Sequence, residues 1–240
     1  MLVKTSAIVI WTSKYGDSSV IANCYTECCG LKGYFLKNIF NSKNVSHSAA
    51  YFQPLTLLNL VTNHLKDDKL NYIKEVKINT SFNSIHNSIH KTSIALFISE
   101  ILKSVLKEDR QQNLSLYNFL KTSIILLDKN GNSANFHIKF LIELTKHIGF
   151  YPNTSNMNKN YFDLRSGCFT NDYKKKYILS GIDLKGFKTI LGMTFDDLKM
   201  LNWNQSLRKN LLRSILTYYS LHLQSFKTPK SIDVLNDLFK

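Results

Sequence analysis

A strand-rich N-terminal third followed by a helical remainder predicts an α+β chain. The expected architecture is a five-stranded barrel, then a mainly α-helical domain with a small β-hairpin insertion. Three observations carry this reading. Apolar residues alternate with period two from Leu2 to about Ile78, the period changes to 3.6 after Thr80, and Gly149, Pro152 and four asparagines between 153 and 160 interrupt the helical pattern.

Within the first region, β-branched and aromatic residues predict strands at about 3–13, 19–26, 32–40, 54–62 and 70–78. Turns are expected at Tyr15-Gly16-Asp17, at Cys29-Gly30 and along the polar stretch 41–48. Five short strands of this spacing fit an OB-fold barrel, a scaffold often used to hold single-stranded nucleic acid. The change of period near residue 80 divides the chain into a barrel domain, 1–80, and a helical domain, 81–240.

In the helical domain, the apolar series Ile85, Ile89, Ala95, Leu96, Ile98, Ile101, Leu102 and Val105 predicts one helix. A second is expected over about 113–128, and a third carries Phe136, Phe140, Leu141, Leu144 and Ile148. Tyr161 to Phe169 reads as a β-hairpin inside an insertion at about 150–180. Helix resumes near 183. Thr194-Phe195-Asp196-Asp197 resembles a capping box, Leu207, Leu211, Ile215 and Tyr219 form one face of a long helix, and a short helix at 231–239 follows.

No apolar run approaches the roughly 18 residues of a membrane span. The first residues, Met1 to Ser6, lack the apolar core and cleavage site of a signal peptide, so a cytoplasmic, nucleoid-associated location with no membrane contact is expected. The formal net charge of +14 suits a phosphate-rich partner. Yet 27 of the 31 basic residues are lysine, as A/T-rich codon usage alone produces, and the excess is spread along the chain. Cys24, Cys28, Cys29 and Cys168 are expected to be reduced thiols.

Phosphate-binding and catalytic signatures such as G-x-x-x-x-G-K-S/T, G-x-S-x-G and H-E-x-x-H are absent, which argues against common enzyme classes. His86 and His90 are four apart, but a metal-dependent hydrolase built on them and Cys168 lacks further ligands, so no cofactor is expected. The third strand interleaves Tyr34, Phe35 and Phe40 with Lys32 and Lys37, a pattern in which rings stack on bases and ammonium groups meet phosphates. Period two puts Tyr34 and Phe40 on one face and Phe35 with Lys37 on the other, so one set belongs to the core.

Ala7-Ile8-Val9-Ile10, Lys14-Tyr15-Gly16-Asp17-Ser18-Ser19, Tyr25-Thr26-Glu27-x-x-Gly30 and Phe52-Gln53-Pro54-Leu55-Thr56-Leu57-Leu58 resemble the OB domain of the RecO family in order and spacing. Ile94 to Leu102, and Phe140-Leu141-x-x-Leu144-x-x-x-Ile148-Gly149-Phe150-Tyr151-Pro152, resemble its bundle helices. Tyr161-Phe162-Asp163-Leu164 with Gly167 is similar to the hairpin of Bacteroidetes members. The resemblance implies a non-catalytic mediator in DNA repair and recombination. Such a protein binds single-stranded and double-stranded DNA, anneals complementary strands, and works with RecR to load RecA on DNA coated with single-strand-binding protein (SSB).

Two departures stand out. Many members carry a four-cysteine zinc module where this chain has 151–172 with Cys168 alone, and their basic loop after the third strand begins with Gly and Arg rather than Lys37-Asn38. On this reading Lys4, Lys14, Lys32, Tyr34, Lys37 and Lys43 are the expected DNA contacts of the barrel, with Arg208, Lys209 and Arg213 as a helical-domain alternative. The resemblance also implies capture of the acidic, Phe-ending SSB tail at Lys139 and Phe140, where the family carries Arg before Phe; a lysine that only solvates a helix face is the competing reading. An OB-fold accessory protein that binds RNA is the alternative function.

Overall fold

The computed structural model describes residues 2–37, 39, 49–63, 70–107, 111–129 and 134–239. They form two compact units, Met1–Asp128 and Lys129–Lys240. In the first, β1 (Leu2–Tyr15), β2 (Ser19–Thr26), β3 (Gly30–Leu36), β4 (Leu57–Asn63) and β5 (Asn71–Ile78) close into a barrel in the order β1-β2-β3-β5-β4. The chain is thus α+β with an OB-like barrel at its N-terminal side.

β1 is long because it serves two neighbours. Residues 2–8 pair with β4 and residues 7–15 with β2, and the register shifts between Val9 and Trp11. A bulge of this kind bends a strand and takes backbone groups off the ladder. Three bonds recover them: Val9 N–H donates to Thr56 O at 3.0 Å, Leu55 N–H donates to Val9 O at 2.7 Å, and the Ser99 hydroxyl donates to Ile10 O at 2.5 Å. Leu55 holds φ at 64°, a conformation costly for a residue with a Cβ, and is fully buried there. Burial of a leucine side chain, about 1.5–3 kcal/mol, offsets a strain of about 1–3 kcal/mol.

That left-handed turn explains why β4 starts at Leu57 and not at residue 54 as the sequence suggests. β3 likewise ends at Leu36, because the backbone turns at Lys37 although the apolar alternation runs on. Inside the barrel Tyr34 faces its register partner Ala22, so a large ring meets a small side chain, with Ala7, Val9, Cys24, Leu58 and Leu60 around them.

Two helices, α1 (Ile89–Val105) and α2 (Leu114–Lys129), follow, and α1 packs on β1. The link from β5 into α1 is held by Asp128, which accepts the N–H groups of Asn83, Ser84 and Ile85 at 3.0, 2.8 and 2.8 Å. Lys91 Nζ donates to Ser84 Oγ and to Asp128 O, each at 2.7 Å. Burial opposes ionisation of Asp128, but these backbone donors and the Ser84 hydroxyl outweigh it and hold the carboxyl below the usual aspartate range.

The second unit holds α3 (Phe136–His147), α4 (Gly181–Gly192), α5 (Gln205–His222) and α6 (Ile232–Leu238). The expected hairpin is β6 (Tyr161–Asp163) with β7 (Cys168–Thr170), and β8 (Ile178–Leu179) adds a third strand beside β6. Asp163 organises the turn by accepting from Arg165 N–H at 3.0 Å, Ser166 Oγ at 2.8 Å and Lys175 Nζ at 2.8 Å. α4 and α5 approach closely at Gly186, where a Cβ would stand 2.9 Å from Leu211 Cδ1. Ahead of a 3₁₀ turn at Asp196–Met200, Asp197 accepts both the N–H and the hydroxyl of Thr194, so the capping box is half formed.

Lys139 on α3 is 2% exposed, and its ammonium bonds Glu143 at 2.6 Å and Ile190 O at 3.1 Å. Ile190 lies in the last turn of α4, where carbonyls lack intrahelical partners and a cation meets the negative end of the helix dipole. Glu143 is half-enclosed, which opposes ionisation, but hydrogen bonds from Lys139 and Lys146 outweigh burial and depress its pKa.

Three outcomes follow from this packing. Ser99→Ala leaves the buried Ile10 carbonyl unsatisfied and is expected to cost about 1–3 kcal/mol, read as a lower urea midpoint at unchanged slope. Lys139→Ala strands Glu143 with one exposed partner and uncaps α4, for an expected loss of about 2–4 kcal/mol; a loss within about 0.5 kcal/mol would show a solvated bystander. Because its pKa is depressed in the fold, Asp128 contributes stability in full above about pH 5, and that contribution fades as pH falls below about 4 toward the native pKa. Urea titrations from pH 3 to 7 should show this acid-side loss in the wild type and a shallower one in Asp128→Asn.

A candidate nucleic-acid interface on the barrel

Strand parity separates two aromatic sets on β3. Tyr34 is fully enclosed in the barrel, where burial raises its hydroxyl well above the usual tyrosine range, so this expected base contact is a core residue. Phe35 points outward. Its ring lies 5.5 Å from Tyr15, at the end of β1, and 6.0 Å from Tyr72 on β5, with interplanar angles of 86° and 80°. Phe35 and Tyr72 are direct partners across the parallel β3–β5 pair. Lys14 and Lys37 are exposed beside these rings in sequence, as is Lys74, two residues after Tyr72. Tyr15 and Tyr72 escape a strand-by-strand reading because they reach Phe35 only when the barrel closes. The one local signal is that each belongs to an exposed strand end.

The other barrel lysines have different surroundings. Lys4 is exposed on a recess of about 400 Å³ that also holds Glu27, Glu75 and Lys77, so carboxylates offset part of its charge. Lys32 is half-buried opposite Cys24 in the β2–β3 register. Nearby Cys29 is pushed up to about 11, first by burial and then by Cys28, whose sulfur lies 3.0 Å from its own, against a smaller opposing effect of Lys32. Lys43 and Phe40 lie outside the described residues.

In the second unit, the Arg208 guanidinium bonds the carbonyl of Trp203 through Nη1 and that of Phe239 through Nη2, the latter at 2.8 Å. It ties α5 to the segment after α6. Lys209 is half-buried and Arg213 exposed. Lys139 is enclosed as described, and Phe140 is fully buried with its ring stacked on Phe136 at 6.5 Å. Both are interior residues because α3 is covered by α4 and α5, so neither presents a free surface for a peptide. Among the described residues, no three His, Cys, Asp or Glu side chains converge to hold a metal, and no helix is long and apolar enough to cross a membrane.

Chemically, this face of the barrel offers rings for stacking, with exposed lysines near them in sequence. Comparison with known proteins gives it a context. A family model described as Recombination protein O N terminal matches residues 1–82, and one described as Recombination protein O C terminal matches residues 86–231. The chain is 39% identical over 239 residues to the DNA repair protein RecO of Flavobacterium psychrophilum and 36% identical over 239 residues to that of Christiangramia forsetii, each alignment covering 100% of both chains. It is also 34% identical over 244 residues to the DNA repair protein RecO of Bacteroides fragilis, again with 100% of both chains covered. With both halves matched and full-length relatives well above 30% identity, the chain belongs to the RecO family of DNA repair and recombination proteins.

Proposed function

We propose that the protein is a non-catalytic recombination mediator that binds single-stranded DNA, anneals complementary strands and, with RecR, helps load RecA onto SSB-coated DNA. The observation that carries this reading is the cluster of Tyr15, Phe35 and Tyr72 on the outside of a closed OB-like barrel, with exposed lysines close by in sequence. Lysines on such a surface neutralise phosphates without reading sequence, and aromatic rings accept any base. Both suit a protein that must handle arbitrary strands. Membership in a DNA repair family favours DNA over RNA as the polymer.

Capture of the SSB tail needs a surface cation. Lys139 and Phe140 are enclosed, so we assign this role within the second unit to Lys209 and Arg213 on α5. Lys4, Lys14, Lys32 and Lys37 remain the proposed phosphate contacts of the barrel.

Annealing of complementary oligonucleotides, with and without cognate SSB, tests the proposal: the protein should accelerate both, and no acceleration on either would refute it. Replacing Lys14, Lys32 and Lys37 together by Ala should weaken binding to all sequences alike. It should also reduce the slope of log affinity against log salt by about 2 if all three meet phosphates. An unchanged slope moves the phosphate contacts off these residues.

A further inference from the structure

We propose that Tyr15, Phe35 and Tyr72 form a platform on which unpaired bases of single-stranded DNA stack. This rests on the single-strand reading above and adds the contact that would distinguish bases from backbone.

Four observations support it. Tyr15 is 55% and Tyr72 59% exposed, and with Phe35 between them they make one continuous aromatic surface rather than scattered apolar residues. Both tyrosines meet Phe35 edge-to-face, an arrangement that leaves ring surface available to a further flat partner. Gly33 shares the outward face of β3 two residues before Phe35. A Cβ there would meet Leu70 Cδ2 at 3.3 Å, Asn23 Oδ1 at 3.6 Å and Ile21 Cγ2 at 3.8 Å, so Leu70, itself 37% exposed, packs over the bare backbone beside Phe35 and extends the apolar surface. Finally, Lys14, Lys37 and Lys74 are exposed close by in sequence, against Asp17 and Glu75, which leaves a positive excess for a strand crossing the rings.

Stacking on these rings favours an open strand. Bases within a duplex strand are about 3.4 Å apart and shield each other's faces. Bases reach these rings only after leaving the helical stack. In these stretches the exposed Lys14, Lys37 and Lys74 outnumber the exposed Asp17 and Glu75, a net positive charge that suits polyphosphate better than a basic peptide.

The test compares a fluorescent thymidine oligonucleotide with an abasic oligonucleotide of the same length, using the full chain and anisotropy. The wild type should bind the thymidine strand at least about tenfold more tightly. The double variant Tyr15→Ala/Tyr72→Ala should lose about tenfold or more on the thymidine strand, with abasic affinity and salt slope unchanged, while Tyr15→Phe/Tyr72→Phe keeps the wild-type preference. Both tyrosines are more than half exposed, so thermal melting should be retained, and this is checked alongside. Equal wild-type binding of the two strands overturns the platform and leaves phosphate binding intact. Equal loss on both strands in the Ala variant also overturns it. A wild type that binds neither strand refutes the single-strand reading itself.

Discussion

The bulge in β1 is the constraint on which the first unit depends. In this small barrel β1 pairs with β4 over its first half and with β2 over its second, and it bends at a bulge between Val9 and Trp11. Bending there exposes the backbone of Val9 and Ile10, and each freed group is claimed by a different segment: Thr56 and Leu55 ahead of β4, and Ser99 on α1. The same few atoms therefore fix where β4 begins and how α1 lies on the barrel. Leu55 is held in a conformation it would not choose alone, because its side chain is enclosed in that arrangement.

The second unit handles buried polarity by the same rule. Lys139 ends α4, and Asp163 holds the turn between β6 and β7. In the first unit Asp128 plays this part for the link into α1. In each case a side chain answers a backbone group that secondary structure leaves unpaired. The charged ones are balanced by a neighbour, as Glu143 balances Lys139 and Lys175 balances Asp163.

Much of the architecture is legible in the sequence, because period and turn chemistry are local. Apart from the end of β3 and the start of β4, the barrel strands, the helices and the hairpin fall close to where alternation and helical spacing put them. What escapes is non-local. β8 has two residues, too few to show a period. Lys139 can be read as a lysine that only solvates a helix face, and only the covering helices turn it and Glu143 into an interior pair. Parity divides Tyr34 from Phe35, but only closure of the barrel decides which of them faces inward. Arg208 looks like a surface cation until the chain folds back to offer it the carbonyl of Phe239. The end of the barrel at Ile78 matches the change of period, yet compactness divides the chain after Asp128 because α1 and α2 pack with the barrel.

The closing seam of the barrel is its shortest. β3 and β5 share two register positions, Tyr34 with Asn71 and Phe35 with Tyr72, clipped by Asn71 Nδ2 donating to Gly33 O at 3.1 Å, whereas β1 and β2 share eight. Breathing of the barrel, as amide hydrogen exchange would record it, concentrates where the fewest ladder bonds must break. The outward residues of that seam are Phe35 and Tyr72 themselves. Any ligand that bridges the two rings therefore works as a staple across the weakest closure, so occupancy and barrel rigidity are thermodynamically linked: each strengthens the other by the same free energy.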